Sequence, residues 1–486
     1  MSKHVLMGNS PHAASIHTLN DDSLLNIFHL YRPPFFDGDE TDGVRLVGGR
    51  SWDREWWWYK LAQVCRRWRN LILGSPSGLD LCLVCTHGTP VADMLAHSPP
   101  LPLIIDYEYD EDNDRDITAE DEEGMIIALG QRDRVRRIRI LIPVPKLINV
   151  VMAIDEEYPV LEYLIMGPWP DDSGTAMILP RTFQAPHLRH LALFSFFLPI
   201  RPRLFTAATG LITLVLFLGN PATYFRPDIL LQWISSMPQL EALVISFSFP
   251  VLNGDVDRQL MHTPITTHVT LPNLRWFLLR SVSAYLEAVV PRITSPRLEK
   301  LDIQFFNQLT FSVPHLLQFM HTTENLRFGS AKFEFSGDRV HVKVYPREEA
   351  EIRTLQVNVR CLHLDWQVSS VAQIFNSLGQ IFSTVEHLTF EHEVHSLSSE
   401  EHNEVDRTEW RKLLRSFSNV KTLRIDDGLV RELSRSLRLD DGELPLELLP
   451  ELQELKCPGS GDTVDSFKSF INARQNAGHP VILSHH

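Results

Sequence analysis

The sequence predicts an α/β protein in which a short helical region near the N-terminus precedes an irregular solenoid with a curved parallel sheet and outer helices. Two observations predict it. Between residues 16 and 84 the apolar residues follow helical spacing, and from residue 161 onward a strand motif recurs with helical stripes between its copies. One strand and one helix cannot bury an apolar face alone, so stacking of neighbouring repeats would form the core.

Two apolar stripes mark the N-terminal region. The first helix is expected to start at Asp21-Asp22-Ser23, whose side-chain oxygens suit a helix N-terminus, and to end before Pro33. The second is expected as one amphipathic helix over residues 61–72, with arginines on the face opposite Leu61, Val64 and Trp68. These two short helices cannot bury both stripes against each other, so another surface must cover them.

An acidic segment and two predicted strands connect these helices to the repeats. Residues 106–123 hold eleven acidic residues and one arginine, a net charge of −10 out of −15 for the whole chain. A solvated loop is the expected structure, with a docking segment for a basic partner as the alternative. Strands are expected at 101–105 and 135–142, and the arginines around the second strand are expected on a half-solvated face.

The repeats follow the motif L-x-x-L-x-L. Its copies begin at Leu161, Leu188, Leu211, Leu240, Leu274, Leu298, Val359, Val385, Val420 and Leu452, with a degenerate copy at Leu326. Helical stripes are expected at 230–237, 371–378 and 410–417. The spacing is close to the leucine-rich-repeat period of roughly 20 to 29 residues, but looser. The predicted organisation is a disordered stretch at 1–15, a helical region at 16–84 and a solenoid at 85–486, whose segment 463–486 forms a helix–strand cap.

Side chains alternate along a strand, so the third, fifth and seventh positions of each copy lie on one face of the sheet. That face is apolar in the early repeats and charged in the later ones. Either loops of the chain, such as 198–205 or 253–270, cover the apolar part, or it binds a target. For the second alternative the predicted substrate-binding anchors are Phe194, Phe217, Trp276 and Arg280, because aromatic and arginine side chains dominate interfaces.

Composition excludes several classes of protein. No basic face suggests nucleic acid, and no apolar stretch reaches the roughly 20 residues of a membrane span. The first eighteen residues lack a signal-peptide pattern, so a cytoplasmic or nuclear protein is expected. Five cysteines fit a reducing compartment, with Cys361 and Cys457 at buried repeat positions. Cys82-x-x-Cys85 has no second pair of ligands, so neither a metal site nor a cofactor is expected.

The sequence shows no catalytic motif. It contains no G-x-S-x-G elbow, no glycine-rich phosphate loop and no His-Glu-x-x-His helix. His387, His392 and His395 are close in sequence, but their spacing does not direct three ligands to one point. The chain is therefore expected not to be an enzyme, with a solenoid polysaccharide-active enzyme as a remote alternative.

The order Leu19-x(4)-Leu24-Leu25-x-Ile27-Phe28, then Leu61-x(2)-Val64-Cys65-Arg66-x-Trp68-x(2)-Leu71, resembles the F-box. With its repeats, the chain is similar to fungal, basidiomycete-like F-box proteins with a leucine-rich-repeat-like body. The resemblance implies a three-helix unit over 16–84, with an insertion at 32–56, that docks on the Skp adaptor of a cullin-based ubiquitin ligase. It assigns that contact to Leu19, Leu24, Leu25, Ile27, Phe28, Leu61, Val64, Cys65, Trp68 and Leu71.

The resemblance further implies that the repeats hold a protein substrate for ubiquitin transfer. The function expected from the sequence is therefore that of a substrate-recruiting adaptor, whose partners are a Skp-type protein, through it a cullin, and an unidentified target. The alternative is a repeat scaffold for protein–protein interaction whose F-box is degenerate and recruits no ligase.

Overall fold

The structure, a computed structural model, describes residues 19–31, 57–109, 116–169, 175–199, 202–249, 265–323, 328–346, 354–392, 407–439, 443–444, 446–458 and 461–485. The chain divides into two compact units, of which the first comprises 1–107 and 117–137 and the second 108–116 and 138–486. This division lies later in the chain than the sequence-based boundary after residue 84. The segments predicted as a disordered N-terminus and as an insertion, 1–15 and 32–56, lie outside the described residues.

The first unit begins with short helices and continues as alternating strands and helices. Its helices are α1 (Asp21–Tyr31), α2 (Trp57–Ala62), α3 (Arg66–Gly74), α4 (Pro76–Leu79), α5 (Val91–His97) and α6 (Ala119–Leu129). Its strands are β1 (Leu83–Cys85), β2 (Leu103–Glu108) and the start of β3 (Val135–Ile142), and β1 pairs with β2 in parallel. The strands predicted at 101–105 and 135–142 are thereby confirmed, the second with the same bounds and the first shifted by two residues at its start and three at its end.

The prediction of one helix over residues 61–72 is wrong, because the helical conformation is interrupted between α2 and α3. Cys65 has an extended backbone, with φ −159° and ψ 167°, and its Sγ accepts a weak hydrogen bond from the Trp68 N–H at 3.5 Å. It is therefore the N-cap of a new helix. The start of α1 also differs from expectation, since Asn20 Oδ1 accepts the Ser23 N–H at 2.8 Å and caps the helix in place of the aspartates.

The acidic segment 106–123 is not a loop throughout. Its first residues belong to β2 and its last five to α6, while 110–115 lie outside the described residues. Thr118 caps α6 by accepting the Asp121 N–H at 3.0 Å, and the Asp121 carboxylate accepts the Thr118 N–H at 3.0 Å. Carboxylates in the first turn of a helix are stabilised by its dipole, which is why part of this acidic run is helical.

The second unit alternates strands with helices. Its strands are β4 (Tyr163–Pro168), β5 (Met177–Ile178), β6 (His190–Phe194), β7 (Phe196–Phe197), β8 (Thr213–Leu218), β9 (Ala242–Phe247), β10 (Val269–Thr270), β11 (Trp276–Ser281), β12 (Ile293–Thr294), β13 (Lys300–Phe305), β14 (Ser330–Phe335), β15 (Arg339–Tyr345), β16 (Thr354–Arg360), β17 (His387–His392), β18 (Thr422–Ile425), β19 (Glu454–Cys457) and β20 (Ile482–His485). Its α-helices are α7 (Val144–Ala153), α8 (Arg203–Ala207), α9 (Pro227–Ile234), α10 (Ser283–Val289), α11 (Pro314–His321), α12 (Leu364–Ser377), α13 (Gly379–Phe382), α14 (Arg407–Arg415), α15 (Val430–Leu437) and α16 (Gly461–Asn476).

The main sheet of this unit runs β4-β6-β8-β9-β11-β13-β16-β15-β14-β17-β18-β19-β20. Neighbouring strands are parallel except at β15, which is antiparallel to both β14 and β16. The small strands pair separately in parallel, β5 with β7 and β10 with β12. A long, mostly parallel sheet with helices between its strands is the architecture that the repeats predict.

Most copies of the motif coincide with strands, and the predicted helical stripes coincide with α9, α12 and α14. The prediction of a strand from the motif copy at Val359 is wrong, because the strand β16 ends at Arg360 and Leu364 already begins α12. Leu326, the start of the degenerate copy, lies outside the described residues. The helix and strand predicted within 463–486 correspond to α16 and β20.

The core of the second unit lies on the sheet face that carries the motif leucines. Leu214, Leu216, Leu243 and Ile245 are fully buried, and burial of each such side chain contributes about 1.5–3 kcal/mol. In the later repeats the core is aromatic, with the Phe333 ring 5.1 Å from those of both Phe375 and Phe390. The opposite face of the sheet is therefore the one that carries the predicted anchors.

Candidate protein-binding surfaces

The first candidate surface is built on α1, and part of its predicted docking set forms the core beneath it. Leu24 and Phe28 are buried, and the Phe28 ring meets the Trp68 ring edge-on at 4.8 Å. Arg67 ties α3 to α1 by donating to Asp21 Oδ1 and to the Leu19 carbonyl, each at 2.6 Å. These contacts hold α1 in place, so its outward residues are presented on a fixed helix.

One exposed stripe in the second half of α1 is apolar. Ile27, Leu30 and Tyr31 follow at i, i+3 and i+4, which puts them on one side of the helix, and Leu30 is 83% exposed. We call these three residues the α1 surface. Leu30 was absent from the docking set, although its spacing from Ile27 could have identified it.

The other predicted docking residues are divided between exposed and half-buried positions. Val64 is exposed in the break between α2 and α3. The half-buried members are Leu19, Leu25, Leu61, Cys65, Trp68 and Leu71. The set assigned by resemblance therefore combines core and surface, and its adaptor contact remains a prediction.

The second candidate surface is the sheet face opposite the core of the second unit. Strand register places Phe194 beside Phe217, Phe217 beside Ser246, and Ser246 beside Arg280. The two phenylalanine rings are half-buried and stack with centroids 5.0 Å apart and planes 5° from parallel. We call this line of cross-strand neighbours, from Phe194 to Arg280, the Phe194 row.

The neighbouring row of side chains on the same face is buried. Ile165, Ala192, Val215 and Val244 are each at most 4% exposed, although they point away from the motif leucines. The chain itself covers these side chains, which agrees with the expectation of internal covering for this part of the face. Most of segment 253–270, one of the expected covers, lies outside the described residues.

Trp276 and Arg280 lie four residues apart on β11 and have different environments. The Trp276 ring is only 7% exposed and carries the Lys300 ammonium 5.3 Å from its centre, so it offers little surface to a partner. Arg280 is half-buried, with its guanidinium carbon 5.3 Å from the Phe306 ring centre. The structure therefore groups Phe194, Phe217 and Arg280 in one row and separates Trp276 from them; binding by any of the four remains a prediction.

The later part of the face is polar. Lys332 Nζ lies 2.6 Å from Glu334 and 2.8 Å from Glu391, with Glu334 and Glu391 adjacent in register. Burial lowers the pKa of Lys332, but the two carboxylates outweigh burial and raise it above its usual value. Lys332 thus balances one of the two carboxylates, and this cluster offers less free charge than its three charged side chains suggest.

The described residues give no support to a metal or redox site. All five cysteines are free thiols, and burial raises the pKa of Cys85 and of Cys361 to about 12. Such thiols stay protonated at neutral pH and are poor nucleophiles and poor metal ligands. In the described part of the chain, no group of three or more histidine, cysteine or acidic side chains could hold a metal ion.

None of the described helices has both the length and the apolar character needed to cross a bilayer.

No protein-family model matches the chain, and no curated protein matches it. One solved structure to which the chain is similar is the leucine-rich-repeat-containing protein LegL7 from Legionella pneumophila, at 12% identity and a TM-score of 0.24. The match covers 80% of this chain and 97% of that protein.

Proposed function

We propose that this protein is a substrate-recruiting adaptor of a Skp–cullin–F-box ubiquitin ligase. Its first unit would bind a Skp-type adaptor through the N-terminal helices, and its second unit would bind a protein target on the repeats. The observation that supports adaptor binding is the α1 surface, which exposes three large apolar side chains on a helix fixed by the Phe28–Trp68 contact. Exposed apolar patches of this kind mark interaction sites.

The identity of the adaptor comes from the F-box resemblance of residues 16–84. The work of such a protein is positional, since it holds a target lysine near the transfer site and so raises its effective concentration. No side chain of the adaptor needs to take part in the chemistry. On the second unit, the half-buried side chains of Phe194 and Phe217 would contact the target.

Co-expression with a Skp-type adaptor tests the proposal. The wild-type chain should co-purify with the adaptor, and L30D should lose it because a charge would enter the centre of the α1 surface. The matched control is H29D, which places the same charge one residue earlier on an exposed position of the same helix. If a demonstrably folded wild-type chain brings down no Skp-type protein, the ligase function is wrong. If the wild type binds the adaptor and L30D and H29D both retain it, the α1 surface is not the contact.

The alternative of a repeat scaffold without ligase recruitment has a separate readout. It would retain target binding through the second unit while showing no dependence on Leu30.

The enzyme alternative requires perturbed carboxylates on the sheet face. Burial raises the pKa of Glu287, but its carboxylate accepts the N–H groups of His315 and Leu316 at the start of α11, at 2.7 and 3.0 Å, which is a capping role.

A further inference from the structure

Three arginines from distant parts of the sequence are arranged around one edge of the sheet of the second unit. Arg280 lies near the carboxyl end of β11, and Arg360 ends β16. Arg339 begins β15 and is the antiparallel register partner of Arg360. Only β13 separates β11 from β16, and its Gln304 pairs in register with both Arg280 and Asn358. We call Arg280, Arg339 and Arg360 the arginine edge.

The charge of this edge is not balanced within the described part of the chain. There, Arg280 and Arg360 form no ion pair, and Arg339 pairs with the adjacent Asp338 at 3.1 Å. Burial, together with the positive charges of Arg360 and Arg339, lowers the pKa of Arg280 to about 10. The Phe306 ring attracts the Arg280 guanidinium, but half-burial and the like charges of Arg339 and Arg360 are unfavourable, and a bound anion would offset them.

Large apolar side chains are exposed in the segments that follow β13 and β16. Leu362 is 69% exposed two residues after Arg360, and Trp366 is exposed in the first turn of α12. Leu309, in the loop after β13, is 95% exposed. Carboxyl ends of adjacent parallel strands meet at the same edge of a sheet, which is a common place for ligands.

Hydrogen bonds fix the backbone around this edge. The Cys361 N–H donates to the Asp338 carbonyl at 3.0 Å, so the chain leaving β16 runs beside the β14–β15 turn. Gln367 Nε2 donates to the carbonyls of Ser336 and Cys361, at 2.7 and 2.9 Å, and so ties α12 to the same turn. The segment that carries Leu362 and Trp366, directly after Arg360, is therefore held in place, which lowers the entropic cost of binding.

We propose that the arginine edge binds an acidic segment of a partner protein, with carboxylates on Arg280 and Arg360 and an adjacent apolar side chain on Leu362 and Trp366. Guanidinium and carboxylate groups form strong, planar charge-assisted pairs. A carboxylate is also cheaper to desolvate beside Phe306 than a doubly charged phosphate. A long polyanion such as nucleic acid is disfavoured, since the chain as a whole carries −15.

This inference rests on the proposed function in one respect, that the second unit binds a protein. It does not depend on the adaptor. Co-purification of a Skp-type protein should be unchanged in R280Q, so failure of the acidic-segment proposal and failure of the ligase proposal are separable.

The test uses the full chain and a set of fluorescein-labelled synthetic peptides. Each peptide carries Leu, Phe or Trp between two Glu or two Asp residues in a Gly-Ser frame, and each has a partner in which Gln or Asn replaces the acids. We expect acidic peptides to bind at least tenfold more tightly than their amide partners, and the binding to weaken as sodium chloride is raised. R280Q and R360Q should each weaken it tenfold or more.

The matched control is R275Q, which removes an exposed arginine from the residue just before β11, at the opposite end of the same strand. It should bind as the wild type does. Arg360 is exposed, so R360Q keeps the test decisive if R280Q fails to fold. The proposal is overturned if acidic and amide peptides bind alike, if R360Q binds as R275Q does, or if only phosphoserine versions of the peptides bind.

Discussion

The side chain of Phe194 fills the space beside Gly167 on the neighbouring strand. A Cβ atom on Gly167 would lie 2.3 Å from Phe194 Cβ and 3.0 Å from its Cγ, far inside van der Waals contact. The stack of Phe194 on Phe217 therefore depends on the absence of a side chain at residue 167. We expect G167A to destabilise the protein by about 1–3 kcal/mol, the usual cost of overpacking, as measured by urea unfolding.

The control for this prediction is G210A. Gly210 has no heavy atom within 4 Å of the position that its Cβ would take, so the substitution meets open space. It should leave the urea midpoint within the range of ordinary surface changes, about 0.5 kcal/mol. Equal midpoints for G167A and G210A would show that Phe194 moves aside at no cost and that the row is not rigid.

The Phe28–Trp68 contact should contribute to the stability of the first unit. F28A removes a buried ring and its edge-to-face contact with Trp68, which typically costs about 3–5 kcal/mol, so the near-ultraviolet signal of the tryptophans should begin to change at lower temperature than in the wild type. L30A, two residues later on the same helix, removes an exposed side chain and should unfold as the wild type does. If both variants melt alike, α1 is not anchored through Phe28.

Much of the sheet was predictable because its core positions are consistently large and apolar. Leu214 and Leu216 are fully buried on one strand, and the same pattern marks most of the other copies. The antiparallel strand β15 does not follow from the L-x-x-L-x-L motif, because that motif marks only the parallel repeats. Its alternation of Val340, Val342 and Val344 with polar residues, after Gly337, does carry the signal of a hairpin.

The candidate sites were predictable only where they depend on local sequence. Ile27 and Val64 could be placed on an amphipathic surface, but periodicity alone did not separate them from buried Leu24 and Phe28. The break at Cys65 was also hidden, since the apolar spacing continues across it. The arginine edge could not be foreseen at all, because the hairpin brings Arg339 opposite Arg360 and register brings both near Arg280.

His341 makes stability depend on pH. Burial on β15 lowers its pKa below the usual 6.5, with Lys343 and Arg339 acting in the same direction against Glu334 and Asn358. The folded state thus binds a proton at lower pH than the unfolded state does. Stability from this group is unaffected above pH 6.5 and falls as the pH drops below 6.5 toward the folded pKa.

The test compares the unfolding free energy of wild type and H341Q between pH 7.5 and 5. H341Q should lose less stability over this interval, because glutamine takes up no proton. The exposed His479 supplies the control, and H479Q is expected to follow the wild-type curve. A wild-type-like decline in H341Q would mean that another group is responsible.

Arg474 joins the last long helix, α16, to the segment before β19. Its guanidinium is buried and donates to the carbonyls of Leu449, Pro450 and Leu452, at 3.2, 2.9 and 3.1 Å. Leu449 has a positive φ of 49°, a strained conformation that this contact helps to hold. R474M would keep the apolar stem but leave buried carbonyl groups without their donor, which should cost about 2–4 kcal/mol.

Hydrogen–deuterium exchange locates the expected effect. In R474M the amides of α16 and β20 should exchange faster, while those of the early repeats keep their protection, because each repeat depends mainly on its neighbours. K468M on the same helix removes only an exposed ion pair with Asp465 at 2.5 Å, and such pairs contribute about 0–1 kcal/mol. If R474M keeps as much protection as K468M does, the three carbonyl contacts contribute little. The helix is then held by its apolar face, with Phe467 and Phe470 in the core.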